Sequence, residues 1–128
     1  MPRSDCRATL ASPFEEFRKS NWSLTTTDAF DELGVHAYYD RNDCLTYVEV
    51  HSFGCVVPIL GQIELIGPWE DRLEALDRSG VAWASVSDDT AVLVDLGVRL
   101  YRYDPSEASV LGVEIEMPSE ADIPISHS

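Results

Sequence analysis

Two histidines and two cysteines lie near one another along the chain: His36, Cys44, His51 and Cys55. Imidazole and thiolate are zinc ligands, and a structural zinc takes four of them, usually as two closely spaced pairs. Here the successive intervals are 8, 7 and 4 residues, and there is no CxxC. The pattern fits buried thiols and surface imidazoles better, so neither a metal nor a cofactor is expected. A small enzyme would have to be built on His36, His51 or Cys44. The chain has no GxSxG elbow, no GxGxxG and no GxxxxGK[ST], which removes the common frames for a nucleophilic serine or a cradled phosphate. With 23 Asp and Glu residues, some pair of carboxylates must fall close together anyway, so no pair by itself signals acid–base chemistry. The expectation is a non-catalytic protein.

A second constellation combines tyrosines and acids. Tyr38, Tyr47, Tyr101 and Tyr103 stand close in sequence to Asp40, Asp43, Glu49 and Asp104. A tyrosine ring supplies rigid contact area and a carboxylate offers two acceptor oxygens to a guanidinium, a composition suited to receiving Arg and Lys. Tyrosine is also a good strand former, so simple packing is the competing explanation. The candidate partner-contacting residues are Tyr38, Asp40, Asp43, Glu49, Asp88, Asp89, Tyr101, Asp104 and Glu107.

The elements that carry these residues can be read from periodicity. Leu33, Val35, Ala37 and Tyr39 alternate with Gly34, His36, Tyr38 and Asp40, as on a strand. Arg41-Asn42-Asp43 turns the chain, and Leu45 to His51 returns. The phrase then recurs: Leu96-Gly97-Val98 repeats Leu33-Gly34-Val35, Tyr101 falls where Tyr38 fell, and Val113-Glu114-Ile115 echoes Val48-Glu49-Val50. Two similar hairpins, 28–51 and 91–116, are expected. Ser12-Pro13 with Glu15 predicts a short helix over 12–19. Pro68, Glu70 and Asp71 followed by Gly80 predict the main helix over 68–79, with Trp69, Leu73 and Leu76 on one stripe. Residues 55–66, broken by Pro58 and Gly61, predict an edge strand, and 81–86 a further one. The fold class is therefore α+β: a mostly antiparallel sheet of about six strands, with the main helix on one face. One domain of 128 residues is expected, with 1–11 and 118–128 as flexible ends.

Composition narrows the partner. Nine basic against 23 acidic residues give a net charge of −14. The first 23 residues hold four basic and three acidic side chains, +1, so the remainder holds five and twenty, −15. Such a field repels nucleic acid and anionic membrane and attracts basic proteins. The opening residues lack the apolar run of a secretory signal, no apolar stretch approaches the length of a membrane span, and the three cysteines are an odd count. A cytoplasmic protein is expected.

Small size, strong acidity and a hairpin-rich layout over the whole chain resemble the immunity proteins of bacterial contact-dependent inhibition and polymorphic toxin systems. That resemblance implies stoichiometric inhibition: the acidic protein masks the active site of a cognate cationic toxin domain, such as a nuclease with a basic groove. Two other classes stand beside it. One is a small-ligand-binding or assembly module that uses the 55–83 region, with Ile66, Trp69 and Trp83 in functional roles; the other is a small enzyme.

Overall fold

The computed structural model describes residues 1–18, 20–102, 106 and 108–117. In chain order the elements are α1 (Arg3–Leu10), β1 (Glu15–Phe17), β2 (Thr27–Phe30), β3 (Val35–Tyr39), β4 (Leu45–His51), β5 (Ile59–Leu60), β6 (Ile63–Glu64), α2 (Trp69–Arg78), β7 (Trp83–Ser87), β8 (Thr90–Leu93), β9 (Val98–Tyr101) and β10 (Gly112–Glu116). Eight of the strands form one antiparallel sheet in the order β1-β2-β3-β4-β10-β9-β8-β7, and β5 and β6 make a separate hairpin.

The α+β class stands, but the sheet is larger than the six strands expected. The added strands β1, β2 and β8 are three to four residues long. Residues 27–30 are buried throughout, so they lack the alternation that marks a half-exposed strand. The residues of 55–66 form the β5–β6 hairpin outside the main sheet. The N-terminal helix lies at Arg3–Leu10, while Glu15–Phe17, expected within a helix over 12–19, pairs with β2. A Ser-Pro start is compatible with either outcome, and the ladder to β2 decides it.

The echo in the sequence is a duplication of more than a hairpin. Each half runs helix, then four antiparallel strands: α1-β1-β2-β3-β4 and α2-β7-β8-β9-β10. The junctions match bond for bond. A proline before each helix bridges to the segment leading into the fourth strand, Pro2 to Cys44 just before β4 and Pro68 to Ser109 three residues before β10. Leu45 N–H donates to Met1 carbonyl and Val110 N–H to Gly67 carbonyl, each at 2.7 Å. The repeated Leu-Gly closes the second hairpin turn of each half. Gly34 (φ 71°) and Gly97 (φ 66°) occupy the left-handed region that glycine adopts without strain.

The halves meet at β4 and β10, where Val50 lies opposite Val113, Glu49 opposite Glu114 and Val48 opposite Ile115. Because Glu49 and Glu114 are also equivalent in the repeat, an approximate two-fold axis passes between them, normal to the sheet. Pairing puts Val35, Val50, Val113, Leu100 and Ala91 on one face in a row. Both helices cover this face. Trp69, Leu73 and Leu76 bury against Leu93, Leu100 and Val113, and Cys6 against Phe30, Ala37 and Val50. Among the described residues, the opposite face carries no helix.

Candidate functional site

On the helix-free face the register sets Phe17, Thr27, Tyr38 and Tyr47 in one row, and Glu15, Ala29, His36, Glu49, Glu114 and Arg99 in the next. At its centre one carboxylate holds two phenols. Tyr38 donates to Glu49 Oε1 and Tyr101 donates to Glu49 Oε2 at 3.0 Å. Burial, followed by the bond to Glu49, pushes the Tyr38 phenol well above its ordinary value, so it stays protonated as a donor. Tyr38 also stacks on Tyr47, with ring centroids 4.2 Å apart and an 11° tilt.

Tyr38 and Tyr101 are equivalent residues of the two halves, yet both reach the same glutamate. The reason lies one strand in. Tyr101 crosses β10 over Gly112, whose missing Cβ would stand 2.1 Å from the ring. The equivalent of Gly112 in the first half is Tyr47, whose ring fills the path by which Tyr38 would reach Glu114. Glu49 is thus occupied by two hydroxyls. Glu114 is half-buried, and its carboxylate makes no hydrogen bond or ion pair with the described residues.

Beside this centre runs a line of rings. Phe17 meets His36 edge-on at 5.7 Å, His36 meets His51 at 4.9 Å, and His51 stacks on Phe53 at 5.2 Å. Burial and then the charge of His36 hold the His51 imidazole below its ordinary value, against the pull of Glu49. His51 Nε2 is enclosed without a hydrogen-bond partner among the described residues.

The expected acidic turns lie at opposite ends of the sheet. Asp40 and Asp43 sit in the β3–β4 turn, Asp88 and Asp89 in the β7–β8 turn. Asp40 accepts from the backbone N–H of Asn42 and Cys44 at 2.8 and 3.0 Å, which closes its own turn. Asp89 accepts from Ser87 and Thr90 hydroxyls. Asp43 lies 3.4 Å from Arg3 Nε, with its side chain 70% exposed. The carbonyl of Asp88 accepts from Arg102 at 2.9 Å. Tyr103, Asp104 and Glu107 lie outside the described residues, as does the segment 118–128. Of the expected site, Tyr38, Glu49 and Tyr101 therefore come together, while Asp40 and Asp89 bond within their own turns, Asp43 pairs with Arg3 of α1, and the Asp88 carbonyl holds Arg102. His36 and His51 touch, but Cys44 and Cys55 stand at opposite ends, in and beside the β3–β4 and β2–β3 turns. Trp69 is buried in the core beneath α2, with Ile66 and Trp83 packed against it.

A cluster that sequence reasoning missed lies under α1. Asp28 is fully buried and takes a two-pronged contact from Arg7, Nε and Nη2 each at 2.8 Å, plus the Tyr39 hydroxyl at 2.9 Å. Burial alone would raise the Asp28 carboxyl. The bonds from Arg7 and Tyr39 outweigh it and hold the group below its ordinary value. Glu16 accepts from Arg7 at 2.9 Å and from Thr26 at 2.8 Å. The legible signal was the surplus of arginine near the N-terminus. Arg7 is drawn inward by the chain's own carboxylates, which makes this cluster an attachment of α1 to the sheet.

Acidic residues are not confined to the open face: Glu70, Asp71, Glu74 and Asp77 line the outer side of α2. What sets the open face apart is aromatic surface beside the carboxylates. Phe17 is 36% and Phe53 69% exposed. Among the described residues, no helix is long and apolar enough to cross a membrane. The chain matches no protein-family model, no curated protein and no solved structure.

Proposed function

We propose that this chain is an acidic protein-binding module that receives a basic protein partner on its helix-free sheet face, in the manner of an immunity protein masking a cationic toxin domain. The observation that carries the reading is the convergence of Tyr38, Tyr101 and Glu49, contributed by both halves, at the centre of that face. Tyrosine beside carboxylate provides desolvated area together with a partner for arginine, the combination enriched at binding hot spots. An overall charge of −14 accelerates encounter with a cationic surface. The Glu114 carboxylate, which makes no hydrogen bond or ion pair with the described residues, is available at the centre of the face to meet a guanidinium. The reading of 55–83 as a ligand-binding region is less supported, because Trp69 and its neighbours are committed to packing.

Co-expression tests the proposal. The second protein is the basic C-terminal domain of a secreted protein encoded beside this chain's gene. The expected result is relief of growth inhibition by the unaltered chain and loss of relief with Glu114→Arg and Tyr101→Ala. Relief unaffected by these changes, or no toxic domain in that position, contradicts the proposal.

A further inference from the structure

We propose that the contacting imidazoles of His36 and His51 form an acid-operated release switch on the docking face. The inference rests on the reading of that face as the site for a cationic partner. Its ground is geometric. The two rings stand 4.9 Å apart, enclosed between Phe17 on one side and Phe53 on the other. As neutral rings they complete an aromatic line. Charging adds a cation between Glu15 and Glu49 in the row that, apart from Arg99 at its far end, offers carboxylates to the partner.

The groups around the pair set its behaviour. From β1 the row contributes Glu15; from β2, Thr27 and Ala29 do not titrate; from β4 comes Glu49; further along stand Glu114 on β10 and Arg99 on β9. Glu49 favours charging but already accepts from Tyr38 and Tyr101. Burial and mutual repulsion oppose it, and His51 is held below the ordinary imidazole range. In the second half the same two positions hold Arg99 and Glu116, a pair of fixed opposite charge, so the titrating pair belongs to one half alone.

The enclosed Nε2 of His51 gives the switch a structural stroke. Once protonated, both ring nitrogens are donors, and a buried donor without an acceptor is costly. The ring must turn toward water or a carboxylate, which unstacks it from Phe53 in the exposed segment beyond β4. Acid therefore adds positive charge to the face and breaks its aromatic line at once. By reciprocity a bound cation disfavours charging of the pair.

The probe is a nine-residue oligoarginine peptide, titrated at fixed ionic strength at pH 7.5 and 5.0. The unaltered chain is expected to bind at least tenfold more weakly at pH 5.0, and the His36→Gln/His51→Gln variant to change by less than twofold. Equal pH dependence in both, or none in either, overturns the switch while leaving the docking face intact. No binding by the unaltered chain at pH 7.5 defeats the docking reading itself and the switch with it. A second measurement does not depend on variants folding: imidazole proton resonances of the free chain followed against pH. His51 is expected to titrate below the ordinary midpoint of about 6.5, and an unshifted His51 midpoint overturns the proposal.

Discussion

The two halves solve one problem, fastening a helix to a four-stranded meander, with opposite chemistry. Helix entry is superimposable in its bonding, since Arg3 N–H donates to Asp43 carbonyl and Trp69 N–H to Ala108 carbonyl, each at 2.7 Å. That correspondence aligns Arg3 with Trp69, Arg7 with Leu73 and Leu10 with Leu76. On the strands it aligns Asp28 with Ala91 and Tyr39 with Arg102. The ion pair Arg7–Asp28 in the first half is therefore Leu73 and Ala91, two core residues, in the second. Even the cation–π contact is kept with its ends exchanged. Arg3 of the helix lies 4.2 Å over the Tyr39 ring, while Arg102, just beyond β9, lies 4.4 Å over Trp69 of the helix. Shape is conserved between the halves and polarity is free to change, provided every buried charge finds its partner.

The largest expected effect comes from breaking the polar fastening on one side. Arg7→Leu strands the Asp28 carboxylate and is expected to cost roughly 3–5 kcal/mol in denaturant unfolding, the scale for orphaning a buried charge. Arg7→Leu/Asp28→Ala installs the chemistry of the second half in the first. It is expected to recover most of that loss, and a double variant as unstable as the single would refute the equivalence. Acid sharpens the same contrast. Because the folded Asp28 carboxyl lies below its unfolded value, its contribution is whole above about pH 4 and drains away as pH falls through the folded value. Unfolding followed from pH 5 to pH 2 should show a shallower decline in the double variant than in the unaltered chain.

On the apolar side, Leu73→Ala is expected to cost about 2–3 kcal/mol, toward the lower part of the range for core truncation, with no added acid sensitivity. Gly112→Ala tests the asymmetry of the open face. A Cβ there displaces the Tyr101 ring from Glu49, at about 1–3 kcal/mol for overpacking, and should shift the Tyr101 ring resonances most. The smallest effect expected is Arg102→Ala, about 0.5–1 kcal/mol for a cation–π contact of limited burial.

Much of this architecture was legible from residue patterns, and what was hidden has physical reasons. The helix Trp69–Arg78 carried proline, acids and glycine in their usual places, and the structure has it there. The repeat was visible in Leu-Gly-Val and in the tyrosine that follows it, because turn glycines and strand phase leave marks in sequence. Its helical part was not visible, since Arg3 and Arg7 share no side-chain chemistry with Trp69 and Leu73; the equivalence lives in backbone bonds. Strand Thr27–Phe30 escaped because residues buried on both faces show no alternation. At the candidate site, Tyr38, Glu49 and Tyr101 were singled out by type alone. Their meeting on one carboxylate needed the register of β4 on β10 and the bare backbone of Gly112.

The docking claim is most directly tested by comparing charge reversal on the two sides of the molecule. Affinity for the oligoarginine peptide is measured across a series of salt concentrations for Glu114→Arg on the open face and Glu70→Arg on the outer side of α2. If the open face is the docking site, Glu114→Arg weakens binding at least tenfold and flattens its salt dependence, while Glu70→Arg changes it by less than twofold. Equal losses from the two reversals would mean that the negative charge acts as a uniform coat with no docking face, and would contradict the account.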